Sequence, residues 1–244
     1  RGERIALRRA LAFAGQSDRQ TPAARASHDE VVDLLLGPQA TQLATQPDPY
    51  DPAGVRVGIA TAAGFVDVTG SVSGGELGGL LDVSRQVLDP ARRTLGQLAV
   101  GIAETVNARQ RAGMDLTGAA GSDLFAAGDA QVLADRGNTG SATLDVTRAD
   151  LTQVVAADYL LEFGGSGWSL RRADTGAVVV LTGSGTAADP LRADGLEFVV
   201  SGAASPGDGF LVRATHGAAA GMQALLTDPA AFAAALPVQA AAAT

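Results

Sequence analysis

The sequence contains no cysteine and no lysine, and both absences limit what the chain can do. Without cysteine it has no disulfide, no thiolate nucleophile and no sulfur-ligated metal. All 18 basic residues are arginine, against 26 acidic residues, so the formal net charge is −8. Binding to nucleic-acid phosphates needs a basic face, and this acidic balance argues against such a partner.

Aromatic residues and long apolar runs are also scarce. Aromatics make up 4% of the chain although 46% of it is hydrophobic, so the core must consist mainly of alanine, valine, leucine and isoleucine. No apolar run reaches the length of about 18 residues that a membrane-spanning helix needs, and we expect no membrane partner. The first residues do not have the pattern of a signal peptide either, so we expect none.

The sequence offers no set of residues for catalysis. The only histidines are His28 and His216, and neither has a second ligand at metal-binding spacing. Phosphate-binding P-loops and the GxSxG hydrolase motif are absent. The acidic residues between Asp115 and Asp135 do not follow the spacing of a calcium-binding loop. We therefore predict no catalytic, cofactor-binding or metal site, and Trp168 is expected to be a core residue.

The most regular feature is an apolar pattern between Gly74 and Arg111 that alternates in steps of three and four. This heptad spacing predicts a helix with one narrow apolar stripe, the heptad seam. Pro90 interrupts it, so either a new helix begins at Asp89 or one helix kinks there, and we favour a kinked or broken pair. The helix is expected to end near residues 111–113. The seam consists of Leu77, Leu81, Leu88, Leu95, Leu98, Ile102 and Val106.

Two interpretations of the heptad seam remain open at this point. It could be the core face of a helix that the local strands cover, or one side of a bundle of long helices. The stripe is narrow, and most polar residues, Arg92 and Glu104 among them, lie off it, which favours the bundle. Because this chain otherwise contains only short helical stretches near its ends, the sequence predicts that the partner helices lie outside it.

The rest of the chain is typical of short strands separated by turns. Strands are predicted at residues 31–37, 54–60 and 65–70, with a proline-rich loop at 46–52. Six further strand segments between residues 141 and 215 predict an antiparallel β-domain that includes a three-stranded meander. The fold class is therefore α+β. The predicted domains are a helical rod domain with short strands (1–125), the β-domain (126–220) and a helical return segment with a tail (221–244).

The segment from residue 74 to residue 125 resembles the central part of the flagellar hook-associated protein 1 family. The resemblance depends on a glycine-rich helix start, a Leu-Asp-Pro break and a signature that ends in "GMDLTGAAGSDLF". The β-domain segment "DYLLEFGGSGWSLRRADTG" is similar to that family as well. The signature positions here are Leu95, Leu98, Ala99, Asn107, Gly113, Asp115, Leu116, Gly118, Gly121 and Phe125.

The resemblance implies a structural role in the bacterial flagellum. The chain would be a central fragment without the terminal helices of the family, and those helices would cover the heptad seam. Asn107 and residues 115–118 would cap the helix and turn the chain. The implied partners are the hook protein, the second junction protein and further copies of itself, outside the cell, with no cofactor. The fragment alone is expected to be a monomer.

Two other functions remain as alternatives. A secreted adhesin or phage-tail-like module would use the β-domain to bind a surface ligand, through the exposed side chains of residues 158–180. An enzyme would need a role for His216, for which the sequence supplies no neighbouring nucleophile or metal ligand.

Overall fold

The computed structural model describes residues 35–36, 39–40, 43–52, 54–62 and 64–235. The chain divides into two compact units, Arg1–Leu88 and Asp89–Thr244. Helices and antiparallel sheets occur together, which confirms the predicted α+β class. The short helical stretch predicted near the start of the chain and His28 lie outside the described residues, and the predicted domain division between residues 125 and 126 stays a prediction.

The described residues of the first unit form two small antiparallel sheets. Strands β1 and β2 pair with each other, and β3, β4 and β5 form a meander in that order. The alternation of Val55, Val57 and Ile59 predicts one half-buried face of β4, but only Ile59 is buried, whereas Val57 is half-buried and Val55 is 60% exposed. The bounds are β1 (Leu35–Leu36), β2 (Gln39–Ala40), β3 (Leu43–Pro47), β4 (Val55–Thr61) and β5 (Gly64–Asp67).

The proline-rich loop is shorter than the sequence predicts. Gln46 and Pro47 are the last residues of β3 instead of being loop residues. Proline is tolerated there because β3 is at the edge of its sheet. The turn begins at Asp48, whose Oδ1 accepts hydrogen bonds from the amides of Tyr50 and Asp51, both at 2.9 Å.

Helical residues run from Gly75 to Arg111 without a non-helical residue between them. Helix α1 (Gly75–Val83) is followed by a π-helical segment (Ser84–Leu88) and by helix α2 (Asp89–Arg111). The break predicted at Pro90 is thus a local change of helix type. Proline has no amide hydrogen and its ring crowds the carbonyl four residues earlier, which is a physical reason for wider helical turns just before it. The helix ends where the sequence predicts.

The second unit contains the β-domain, whose strands are all antiparallel. A five-stranded sheet has the order β11-β10-β9-β14-β7, and a three-stranded sheet the order β12-β13-β8. The meander β9-β10-β11 was predicted from the sequence. The bounds are β7 (Gln131–Ala134), β8 (Thr143–Arg148), β9 (Asp158–Phe163), β10 (Trp168–Arg172), β11 (Val178–Val179), β12 (Leu191–Ala193), β13 (Leu196–Ser201) and β14 (Gly209–Arg213).

One hydrophobic core joins the two sheets of the β-domain. Alternate residues of β9, β10, β13 and β14 contribute the most buried side chains, because successive strand residues point to opposite faces. Trp168 is half-buried, and its ring centroid lies 5.1 Å from that of Phe163 and 6.0 Å from that of Phe210. The central members of the core are Tyr159, Leu161, Leu170, Leu196, Phe198 and Val212.

The described part of the return segment is not α-helical, which corrects the prediction for residues 221–235. It contains strand β15 (Gln223–Ala224), which pairs with β6 (Phe125–Ala126), and a 3-10 turn at Pro229–Ala231. Alanine-rich residues favour a helix locally, but here the backbone groups bond to distant partners. The amides of Met114 and Leu116, for example, donate to the carbonyls of Ala235 and Ala230.

Asp208 is a buried carboxylate that organises the turn before β14. It accepts hydrogen bonds from the backbone amides of Ser205 and Thr139, both at 2.8 Å, and of Gly140 at 3.1 Å. These bonds, that from Ser205 first, lower the pKa of Asp208 below its ordinary value. Its charged form therefore stabilises the fold at pH values above the ordinary carboxylate pKa, and this contribution is lost as the pH falls through the lowered value.

We predict that Asp208→Asn lowers the urea midpoint at neutral pH and weakens the loss of stability below about pH 4. An asparagine has only one acceptor oxygen, so it cannot satisfy all three amides. Urea titrations at several pH values, followed by Trp168 fluorescence, measure both effects. Asp145→Asn, an exposed position on β8, is the control. An Asp208→Asn protein with wild-type acid dependence would contradict the prediction.

Candidate assembly surface on the long helix

Helix α2 has a buried face that is different from the heptad seam. Apart from Val100, its residues are small or polar, and these recur in steps of three and four, as the seam residues do. On a helix with 3.6 residues per turn this face lies about a third of a turn away from the seam. The members of the buried face are Gly96, Ala99, Val100, Ala103, Asn107 and Gln110.

Gly96 lets the helix approach the chain after β14 very closely. A Cβ atom at this position would overlap the carbonyl oxygen of Thr215. The side chain of Thr215 in turn donates to the carbonyl oxygen of Arg93 at 3.0 Å. One helical turn after Arg93, the side-chain nitrogen Nε2 of Gln97 donates to the carbonyl oxygen of Val154 at 2.8 Å. The first half of α2 thus packs closely against the backbone at Thr215, and two side-chain hydrogen bonds, from Thr215 and from Gln97, fix this contact.

Asn107 attaches the second half of the helix to strand β6. Its side-chain oxygen accepts from the amides of Leu124 and Phe125 at 2.8 and 2.9 Å, and its side-chain nitrogen donates to the carbonyl oxygen of Phe125 at 2.7 Å. The residue is 5% exposed. Asn107 is structural, as the resemblance implies, but it joins two segments instead of capping the helix.

Two further polar residues complete the end of the helix. Gln110 donates to the carbonyl oxygen of Ala231 at 2.9 Å and accepts from the amide of Ala233 at 3.2 Å. Asp115 accepts from the amides of Thr117 at 2.8 Å and Ala119 at 2.9 Å, which makes the tight turn that the resemblance implies. Hydrogen bonds to Thr117 and Ala119 lower the pKa of Asp115.

The heptad seam in the second unit is open to solvent. Leu95, Leu98 and Ile102 are 57%, 58% and 45% exposed, and Val106 is half-buried. Each of these three large side chains has about half of its surface open to solvent. Exposed apolar stripes of this kind are typical of interaction surfaces, and the role of the seam stays a prediction. The interpretation of the seam as the core face of this domain is wrong for α2, because its buried face consists of other residues.

In the first unit the predicted seam residues differ in exposure. Leu77 and Leu81 are half-buried, whereas Leu88 is exposed. The most exposed apolar residues of that helical segment are Leu80, Val83, Val87 and Leu88. The open stripe of α1 and the π-helical segment is therefore offset from the predicted seam. The heptad count assumes α-helical geometry throughout, and the π-helical segment does not have that geometry.

The structure places the other candidate residues without forming a reactive site. His216 follows β14 and is half-buried near Asp158 and Arg213. Within the described residues, no group of three histidine, aspartate or glutamate side chains could hold a metal ion. In the same part of the chain, no helix has the length and apolar character needed to cross a membrane.

The buried face of α2 was missed in the sequence, although a signal for it existed. Its small and polar residues repeat with the same spacing as the seam, but a search for large apolar residues does not detect glycine, alanine, asparagine and glutamine. One face of α2 packs inside its own unit, and its apolar seam is exposed to solvent. The chain therefore has the features of a structural α+β module.

Comparisons with known proteins agree with this class. A family model described as "Flagellar hook-associated protein FlgK helical domain" matches residues 27–125, and one described as "Flagellar hook-associated protein 1, D2-like domain" matches residues 133–214. Flagellar hook-associated protein 1 of Escherichia coli K12 is 34% identical over 199 residues, and the protein of that name from Salmonella typhimurium LT2 is 34% identical over 200 residues. Each match covers 81% of this chain and 36% of the relative.

A solved structure is also similar. The flagellar hook junction protein FlgK from Burkholderia pseudomallei is 37% identical, with a TM-score of 0.73 over 84% of this chain and 38% of that chain. The chain therefore belongs to the flagellar hook-associated protein 1 family, and it spans little more than a third of the relatives' length. These findings favour the family over the adhesin alternative.

Proposed function

We propose that this chain is part of a structural subunit that joins the flagellar hook to the filament, and that it contributes the open seam to the assembly. The observation that carries the proposal is the exposure of Leu95, Leu98 and Ile102 on a helix whose other face is docked. The names of the similar proteins support the location at the hook junction. The subunit acts outside the cell by packing against other axial proteins and does not catalyse a reaction.

The occupant of the seam in this proposal is a helix from the remaining length of the parent protein. A heptad stripe is suited to a long helical partner, because knobs-into-holes packing repeats every seven residues on both helices. Covering a fully exposed leucine or isoleucine contributes about 1.5 to 3 kcal/mol, and these residues are already partly covered, so each adds less. The free energy of three or four such contacts is still larger than that of the same number of surface ion pairs.

A deletion of the parent gene tests the proposed role. Cells without it are expected to carry hooks but no filaments under the electron microscope, with flagellin lost to the culture medium. Complementation with the wild-type gene should restore filaments. Normal filaments in the deletion strain would exclude the junction role.

We predict that Leu98→Ser combined with Ile102→Ser separates assembly from folding. Because both side chains are exposed in this chain, its free energy of unfolding should change by less than about 1 kcal/mol. The same pair in the full-length parent protein should abolish filament attachment, which electron microscopy and motility plates measure.

Ala108→Ser is the matched control for that pair, since Ala108 is exposed on α2 but lies off the seam. It should leave both stability and filaments unchanged. If the double variant of the parent protein builds normal filaments, the seam is not an assembly surface.

A further inference from the structure

The first turns of α2 meet the β-domain through a cluster of charged side chains, the docking cluster, defined by Asp89, Arg92 and Arg93 of α2 together with Asp158, Asp174, Arg213 and His216. Arg93 forms ion pairs with Asp158 at 3.4 Å and Asp174 at 3.6 Å. The side chains of Arg93 and Asp158 are only 12% and 11% exposed. His216 directly follows Thr215, which is hydrogen-bonded to the backbone of Arg93.

Some buried polar atoms of the docking cluster make no hydrogen bond within the described residues. Three of its buried side-chain atoms have no hydrogen-bond partner among the described residues, namely Nε of Arg93, Oδ1 of Asp158 and Nδ1 of His216. Buried polar atoms are normally paired, and a partly satisfied network in a medium of low polarity is sensitive to any change of charge. The contact between α2 and the β-domain therefore has a weak point at this end.

The charges that face His216 come from three directions. Arg213 lies on β14, Asp158 on β9, and Asp89 and Arg92 on α2. With Arg93 and Asp174 added, the cluster holds three arginines and three aspartates. A protonated imidazole adds a fourth positive charge to this balanced set in a partly buried position.

We propose that His216 is a pH-sensitive latch for the first turns of α2. The neutral imidazole allows these turns to dock against the β-domain. Protonation adds positive charge near Arg92 and Arg213, and the turns separate from the β-domain so that the new charge reaches water. The docking at Asn107 and Gln110 does not involve the cluster and remains in place.

The direction of the pH effect follows from the surroundings of His216. Burial lowers its pKa, with Arg213 as the next contribution, although Asp158 opposes them. The open form, in which the imidazole is solvated, binds a proton more readily than the docked form. Docking is therefore strongest above the ordinary histidine pKa of about 6.5 and weakens as the pH falls through the lowered value. Burial raises the pKa of Asp158, and this shift acts on docking in the opposite direction.

Amide hydrogen exchange of the whole chain at about pH 7.5 and about pH 5.5, corrected for intrinsic rates, tests the latch. The amides at residues 93–97 should lose at least about fivefold protection on acidification, whereas those at residues 107–111 should not. His216→Gln, which cannot be protonated, should abolish the difference, and His28→Gln should retain it. An equal pH response in His216→Gln, or an equal loss along all of α2, would overturn the proposal.

Histidine NMR gives a second readout that does not need a variant to fold. Because the chain has two histidines, two titration curves are expected, and His28→Gln assigns them. The latch requires that His216 titrates below the free imidazole value. A pKa for His216 at or above that value would overturn the proposal as well.

Discussion

Gly96→Ala is expected to lower the free energy of unfolding of the second unit by about 2 to 3 kcal/mol, the upper part of the range of about 1 to 3 kcal/mol for overpacked sites. The added methyl group would overlap the carbonyl oxygen of Thr215, which is backbone and cannot rotate away. The helix or the chain after β14 must therefore shift, and the shift would disturb the hydrogen bond from Thr215 to Arg93. Urea unfolding followed by Trp168 fluorescence measures the loss.

Gly101→Ala is the control for this prediction, because it lies on the same helix with open space around the position of its Cβ. Alanine is a better helix former than glycine, so this variant should be more stable than the wild type by up to about 1 kcal/mol. The two identical substitutions, five residues apart, are thus expected to have opposite signs. Equal effects would show that α2 does not dock at Gly96.

Asn107→Ala is expected to cost about 3 kcal/mol. It removes three hydrogen bonds at a buried site and leaves the amides of Leu124 and Phe125 and one carbonyl group without a partner. Each unpaired buried group costs about 1 to 3 kcal/mol, reduced here because water can enter the space that the side chain leaves. Urea unfolding gives the total, and amide exchange at Leu124 and Phe125 shows whether the loss is local.

Gln97→Ala is the comparison for Asn107→Ala. Gln97 is exposed and makes one hydrogen bond, to the carbonyl oxygen of Val154, so about 1 kcal/mol should be lost. A loss at Asn107 no larger than that at Gln97, with unchanged exchange at Leu124, would mean that Asn107 does not hold β6.

Helix α2 has one face docked inside its own unit and an open seam that is proposed to pack against a second helix. Its buried face is built from small residues that allow close approach, and polar residues that bond to the backbone of distant segments. The seam is built from large apolar residues whose burial needs a long partner. We therefore expect substitutions in the seam to affect assembly, and substitutions in the docked face to affect the stability of the fold.

Several features of this protein were determined by the sequence alone. The alternating strands of the β-domain and its meander follow from local periodicity and turn residues, which act over a few positions. The same holds for the existence and end of the long helix and for the heptad stripe. The absence of lysine and cysteine was readable directly, and the resemblance to the family depended on residues such as Asp115 and Gly118.

Only the tertiary structure decided which side of the helix is covered. The buried face depends on contacts far apart in the chain, such as Thr215 with Arg93, 122 residues away, and Ala233 with Gln110, 123 residues away. The extended return segment depends on the same long-range bonds, which override the helical preference of alanine. Local patterns describe which secondary structure a segment can form. The segments that bond to its backbone and cover its side chains depend on the tertiary structure.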